Sequence, residues 1–434
     1  MQHGLTGRGK SGKIAEKCHN NKGVENTMKK TVLREYARLI VRGGVNVQKG
    51  QEVMIYADLD QPEFVRLVVE EAYKAKAKKV IVEWNDPALE KFHVRYQSLR
   101  TLGTVEEWQR ARRQHMVDTL PCRIHLISDD PSGQKGMNME KYAKAMRLRH
   151  PILKPYADQM QNRQQWCIAA VPGVAWAKKV FPGLRGSRAV EKLWEAILSV
   201  SRVDGDAVGA WQAHDADLTA RCAHLNGLGI AKLHYTAGNG TDLTVGMIRE
   251  AQFCGGGETN RQGIFFNPNI PTEECFITPM RGQAEGVVYA TKPLSYQGQL
   301  IENFSIRFAD GKAVEAHAEK GEALLRSMIS MDEGAAYLGE CALVPQASPI
   351  AQSGLLFYNT LFDENAACHL ALGAGFPDTI KDFRNKTLEE CWALGVNDSM
   401  IHEDFMIGCD SMNIDAATWD GTVVPIFRNG NWAF

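Results

Sequence analysis

Apolar and polar positions follow two different rhythms along the chain. From Met28 to about Val200, short apolar runs are separated by stretches with helical spacing. Leu33 to Val41 sets its apolar residues three and four apart, and QEVMIYAD, Gln51 to Asp58, is an apolar run of strand length. Gln61 to Lys74 is amphipathic again and leads into KKVIVEW, Lys78 to Trp84. RIHLIS (Arg123–Ser128) and WCIAAVP (Trp166–Pro172) repeat the strand pattern on either side of a helical stretch, Met139 to Leu148. Short apolar strands alternating with helices predict βαβ units and a parallel sheet.

After about residue 205 the rhythm changes. GNGTDLTVGM, EGVVYATKPL, QLIENFSIRFADGKAVEAHAEKG and TVVPIFRNGNWAF read as strands joined by turns. Asp310-Gly311 and Asn429-Gly430 are hairpin turns, because these residue types tolerate positive φ. Two helices are expected between them, about Glu319–Met331 and Asp363–Gly373, the second opening on an Asp363 cap. The expected architecture is an α/β N-terminal domain with a mainly parallel sheet (28–204), followed by an α+β C-terminal domain with largely antiparallel strands (205–434). Residues 1–27 are basic and Gly-rich without an apolar core segment. They read as a disordered extension rather than a secretory signal, with Met28 as a candidate natural start.

Composition narrows the function classes. A chain of 434 residues exceeds one ordinary core. With 50 basic against 51 acidic residues, no global field favours nucleic acid or an anionic membrane. No apolar run approaches the ~20 residues of a membrane span. Ten cysteines are scattered without a CxxC pair, which reads as reduced thiols in a cytoplasmic protein. GRGKSGK, Gly7 to Lys13, has neither the spacing nor the preceding strand of a phosphate loop.

The second half carries polar residues where apolar ones are expected. NIPTEECF places Glu273 and Glu274 at a strand entrance, and GECALVP places Glu340 directly before an apolar strand. FYNTLFDENAACHLALG puts His369 among small and apolar residues of the expected helix. IHEDFMIG adds His402 and Asp404, which share a face on a strand, while Glu403 between them points the other way. Burying this much charge is costly unless something pairs it, and no Lys or Arg sits inside these segments. Divalent cations with mixed oxygen and imidazole ligands solve the problem. Five such ligands suit a two-metal site in which one carboxylate bridges both ions.

The motifs NIPTEE, TKPLSYQGQLIE, GECALVP, FYNTLFDENA, HLALG and HEDFMIG resemble those of the M29 metallo-aminopeptidases, of aminopeptidase T and aminopeptidase S type. The resemblance runs from Met28 over nearly the whole chain. It implies two divalent metals (Zn, Co, Mn or Mg) in the C-terminal domain, removal of N-terminal residues from short peptides, and a homodimer. It places metal ligands at Glu274, Glu340, His369, His402 and Asp404. The family usually carries a tyrosine where GAGFP here has Phe376, which removes a hydroxyl from beside the metals. Tyr358 substitutes only if the fold brings it close.

The implied chemistry is peptide hydrolysis by a water between two metals, with Glu340 as bridging ligand and Glu273 as candidate proton shuttle. The N-terminal domain either walls the active-site cavity or only stabilises the fold. Two other readings stand beside this one: another two-metal hydrolase, and a non-catalytic metal- or peptide-binding relative. No G-x-S-x-G elbow and no HExxH helix competes.

Overall fold

The computed structural model describes residues 30–434 except 129, 131, 132 and 298; the extension expected over 1–27 lies outside the described residues. Five parallel strands lie in the order Lys79–Asn85, Glu52–Asp58, Cys122–Ile127, Trp166–Ala170 and Asn269–Ile270, the first four from the first half of the chain. Alternation divides each strand between two faces. Val53, Ile55, Ile124, Leu126, Cys167 and Ala169 enter a core shared with helices Lys30–Leu39, Pro62–Lys74 and Gly186–Val200. Tyr56, Glu83, Arg123, His125 and Trp166 take the other face. Helices Glu107–Thr119 and Met139–Met160 reach over it, with Arg112 on Glu83 and His115 Nε2 3.0 Å from Glu52 Oε2.

This sheet takes its last strand, Asn269–Ile270, from the second half of the sequence. Its core likewise draws in Ala207, Trp211, Phe357 and Phe362. The two halves are therefore built into each other, and the chain leaves Ile270 directly for Glu273 and Glu274.

The second half holds a largely antiparallel nine-stranded sheet and a separate four-stranded one. The long hairpin Gln299–Ala309 to Lys312–Lys320 turns at Asp310-Gly311, with φ of 50° and 77°. Asn429-Gly430 turns the last hairpin with φ of 50° and 73°. Both are the paired left-handed residues that a two-residue turn requires.

Two helix expectations change. The segment expected as a helix from Glu319 is still strand to Lys320, and the helix spans Glu322–Ile329. Asp363–Gly373 is not a helix: a 3-10 turn, Glu364–Ala366, leads into a strand, His369–Gly373. That strand lies between Leu338–Leu343 and His402–Met406, and every one of its residues is buried. A short continuous apolar run fits a fully buried central strand as well as a helix, and here the two flanking strands decide.

Candidate metal centre

The four-stranded antiparallel sheet runs Cys275–Ile277, Leu338–Leu343, His369–Gly373, His402–Met406. Ala371 faces Glu340 on one side and Asp404 on the other. Residues in register share a face, so both carboxylates stand on the face of Ala371, separated by a methyl group. His369 and His402 lie two residues from Ala371 and Asp404, so they join that face. Glu274 enters from the residue before the first strand. The opposite face carries Cys341, Leu370, Leu372 and Phe405 into the hydrophobic core.

A bulge at Gly339 sets this register, since Leu338 pairs with Leu372 and Glu340 with Ala371. A Cβ at Gly339 would lie 2.2 Å from the Ala374 carbonyl oxygen, so the strands close only around glycine.

All five predicted ligands meet. Glu274, Glu340 and His369 form one group of ligand atoms within 4.8 Å of one another, and Glu340, His402 and Asp404 form a second. Glu340 belongs to both. His369 Nε2 is 3.1 Å from Glu274 Oε2, and His402 Nε2 is 3.1 Å from Glu340 Oε2 and 3.5 Å from Asp404 Oδ1. Each ring is anchored from behind: Nδ1–H donates to the Ala367 carbonyl at 3.1 Å in His369 and to the Ala374 carbonyl at 2.6 Å in His402. Anchoring Nδ1 directs Nε2 and its lone pair at the cluster, as in metal-ligating histidines.

Without a cation this site must hold protons. Burial, aided by the neighbouring Asp404 and Glu274 charges and opposed by the His402 hydrogen bond, raises Glu340 to about 7. Burial pulls both imidazoles down, but the carboxylates around them more than reverse this and leave His369 and His402 well above the usual histidine range. Asp404 Oδ1 is buried without a hydrogen-bond donor. Clustered carboxylates, Nε2 atoms aimed inward and an orphaned oxygen are what divalent cations satisfy, so these residues fit divalent metal.

One acidic group here escaped the sequence reading. Glu364, buried beside the cluster, is raised well above the carboxylate range by burial and by the Asp404 and Glu274 charges. It accepts from Asn365 Nδ2 at 3.3 Å. Its sequence signal was the one used for the others, an acid inside FYNTLFDENAACHLALG, but polar neighbours on both sides masked it.

Glu273 stands apart from the cluster. Its carboxylate takes two bonds from Arg202, at 2.5 and 2.9 Å, and His214 Nε2 lies 3.8 Å away. The guanidinium fork turns the Glu273 carboxylate, expected as a proton shuttle, toward Arg202, and Glu273 belongs to neither ligand group. Its amide also donates to Asn365 Oδ1 at 2.7 Å, which joins this strand entrance to the Glu364 turn. Phe376 packs its ring 4.6 Å from the His402 ring and 5.4 Å from Phe276, an apolar wall where a hydroxyl was expected. Tyr358 is engaged elsewhere, under Lys179 at 4.7 Å. Glu403 faces away, toward a cavity of about 410 Å³ beside Tyr296.

The sequence profile described as Thermophilic metalloprotease (M29) matches residues 29–432. The chain belongs to the M29 peptidase family. Aminopeptidase AmpS of Bacillus subtilis (strain 168) is 43% identical over 404 residues, covering 93% of this chain and 98% of that one. The structure of wild-type AmpT from Thermus thermophilus superposes with a TM-score of 0.84 at 37% identity, covering 93% of this chain and all of that one. A 2,5-dihydroxypyridine dioxygenase from Pseudomonas putida KT2440 shares the fold alone, with a TM-score of 0.51 at 11% identity. One fold thus carries different chemistries, and function resides in the site built on it.

Proposed function

We propose that this chain is a two-metal aminopeptidase that removes N-terminal residues from short peptides. The observation that carries the reading is Glu340, the one carboxylate common to both ligand groups. Glu274 and His369 would complete one metal position, and His402 and Asp404 the other. Divalent ions there, whether zinc, cobalt, manganese or magnesium, supply Lewis acidity toward a carbonyl and lower the proton affinity of a water.

The chain's own residues do the rest. The Ala367 and Ala374 carbonyls hold both imidazoles in their ligating tautomer. Glu364, a carboxyl beside Asp404 whose proton is held more tightly by burial and by the Asp404 and Glu274 charges, would move a proton toward a leaving amine, the role the sequence alone gave to Glu273. Phe276 and Phe376 offer an apolar wall to the first side chain of the substrate. The reading includes a homodimer, carried by the family resemblance and tested by sedimentation. It also includes a cytoplasmic location, supported by cysteines that are all free thiols among the described residues.

The test is release of a chromogenic amine from an aminoacyl-arylamide, before and after chelation and metal return. The proposal expects turnover that chelation removes and metal restores, with no turnover of the N-acetylated substrate. Equal turnover of the blocked substrate would favour a general two-metal amidase. No turnover by a metal-loaded protein would favour a binding relative.

A further inference from the structure

A second cavity, of about 350 Å³, lies on the far face of the parallel sheet from the main core, between the two halves of the chain. Arg123 at the start of the strand Cys122–Ile127 and Arg113 on the helix Glu107–Thr119 line it, and His150 and Lys154 approach from the helix Met139–Met160. Asp398 and Ser399 close it from the other half, at the head of the segment that runs into His402.

The charges do not balance inside it. Lys154 is committed to Asp158, at 3.0 and 3.1 Å, and also lies over the Trp392 ring at 5.2 Å. Asp398 is exposed at the rim. Among the described residues, neither Arg113 nor Arg123 forms an ion pair with a carboxylate. Arg123 is largely buried, and the side chain it bonds among the described residues is neutral. With its amide turned to suit both sides, Gln164 accepts from Arg123 Nε at 3.1 Å and Nη2 at 3.2 Å, and donates to the Pro121 carbonyl at 3.1 Å. Arg113 stands close enough that the two like charges oppose each other. A guanidinium cannot shed its proton to relieve this, so the pair is an uncompensated positive site in a cleft.

We propose that this cleft binds a phosphate group, free or carried on a small organic body, between Arg113 and Arg123. A carboxylate is satisfied by one guanidinium fork. A tetrahedral dianion accepts from both guanidinium groups and from His150 as well. The cavity has room for more than a bare phosphate. Its occupant would sit where the sheet domain meets the 398–399 turn, distinct from the metal centre.

Calorimetric titration of the purified full-length protein with inorganic phosphate tests this, with glycerol 3-phosphate and acetate as parallel arms at matched ionic strength. The expected result is saturable binding of one phosphate per chain. Affinity should fall about tenfold or more in Arg123→Gln and in Arg113→Gln, the loss of one charge-assisted contact. Arylamide turnover without phosphate should be unchanged in both. Tighter binding of glycerol 3-phosphate than of inorganic phosphate would assign the site to a phosphate ester, and the reverse to free phosphate. Acetate binding as tightly, absence of saturation, or equal phosphate affinity in both variants and the parent would overturn the proposal; the last would place the anion on the metals. If Arg123→Gln fails to fold, Arg113→Gln carries the same test.

Discussion

At the scale of single residues, the centre depends on one small side chain and one shared carboxylate. Ala371 separates Glu340 from Asp404, and its methyl leaves the space in which an ion fits. Ala371→Leu should fill that space, so metal analysis of the folded variant should show the content falling with activity. Glu340→Gln should behave differently. It removes a buried carboxylate already pushed to about 7, so activity should disappear while the metal-free protein melts at the same temperature or higher. A clear drop in metal-free melting temperature would contradict that assignment. Glu273→Gln should do the opposite: it leaves Arg202 without its carboxylate, costs about 3 kcal/mol in denaturant melts, and spares metal content.

The same residues show how much was legible. Glu274, Glu340, His369, His402 and Asp404 announced themselves because each ionisable group interrupts an apolar segment. Glu364 was lost among Asp363 and Asn365 by the same criterion. Glu273 looked like a partner of Glu274, because its real partner, Arg202, lies 71 positions earlier and only folding brings it there.

At the scale of elements, the turns were readable and one central strand was not. Asp310-Gly311 and Asn429-Gly430 carry their conformation in their chemistry. HLALG does not: strand or helix is decided by Leu338–Leu343 and His402–Met406 on either side. The strand ends at Gly373, whose φ is 102° and whose added Cβ would meet the Ile401 carbonyl oxygen at 2.1 Å. Gly373→Ala should therefore push the His402 strand away, destabilising the protein by about 2 kcal/mol or more and lowering metal affinity in the same titration. A variant with parental melting and metal affinity would show that the strand edge is more pliable than this packing implies.

At the scale of the whole molecule, protons and metal ions compete for one buried site, and pH sets the balance. Glu340 is raised to about 7, and Glu364, His369 and His402 are raised well above their ordinary values. Groups raised on folding give stability that is full below their unfolded values and is lost as pH rises through their folded ones. The metal-free protein should thus weaken as pH rises from 6 through 7 and beyond. Metal binding displaces those protons, so the gap in melting temperature between metal-loaded and chelated protein should widen over the same range. Differential scanning at several pH values checks it, and a gap that narrows with rising pH would contradict it. The fold class was visible in the change of rhythm near residue 205. The sheet's completion by Asn269–Ile270 was not, because a two-residue strand has no period to detect.

The account turns on Glu340 serving two ions. Its most direct test is the metal stoichiometry of the purified, metal-reconstituted chain beside Glu340→Gln and Glu273→Gln. The expected result is two ions per chain in the parent and in Glu273→Gln, and loss of both in Glu340→Gln. One ion per chain in the parent, or two retained in Glu340→Gln, would contradict it.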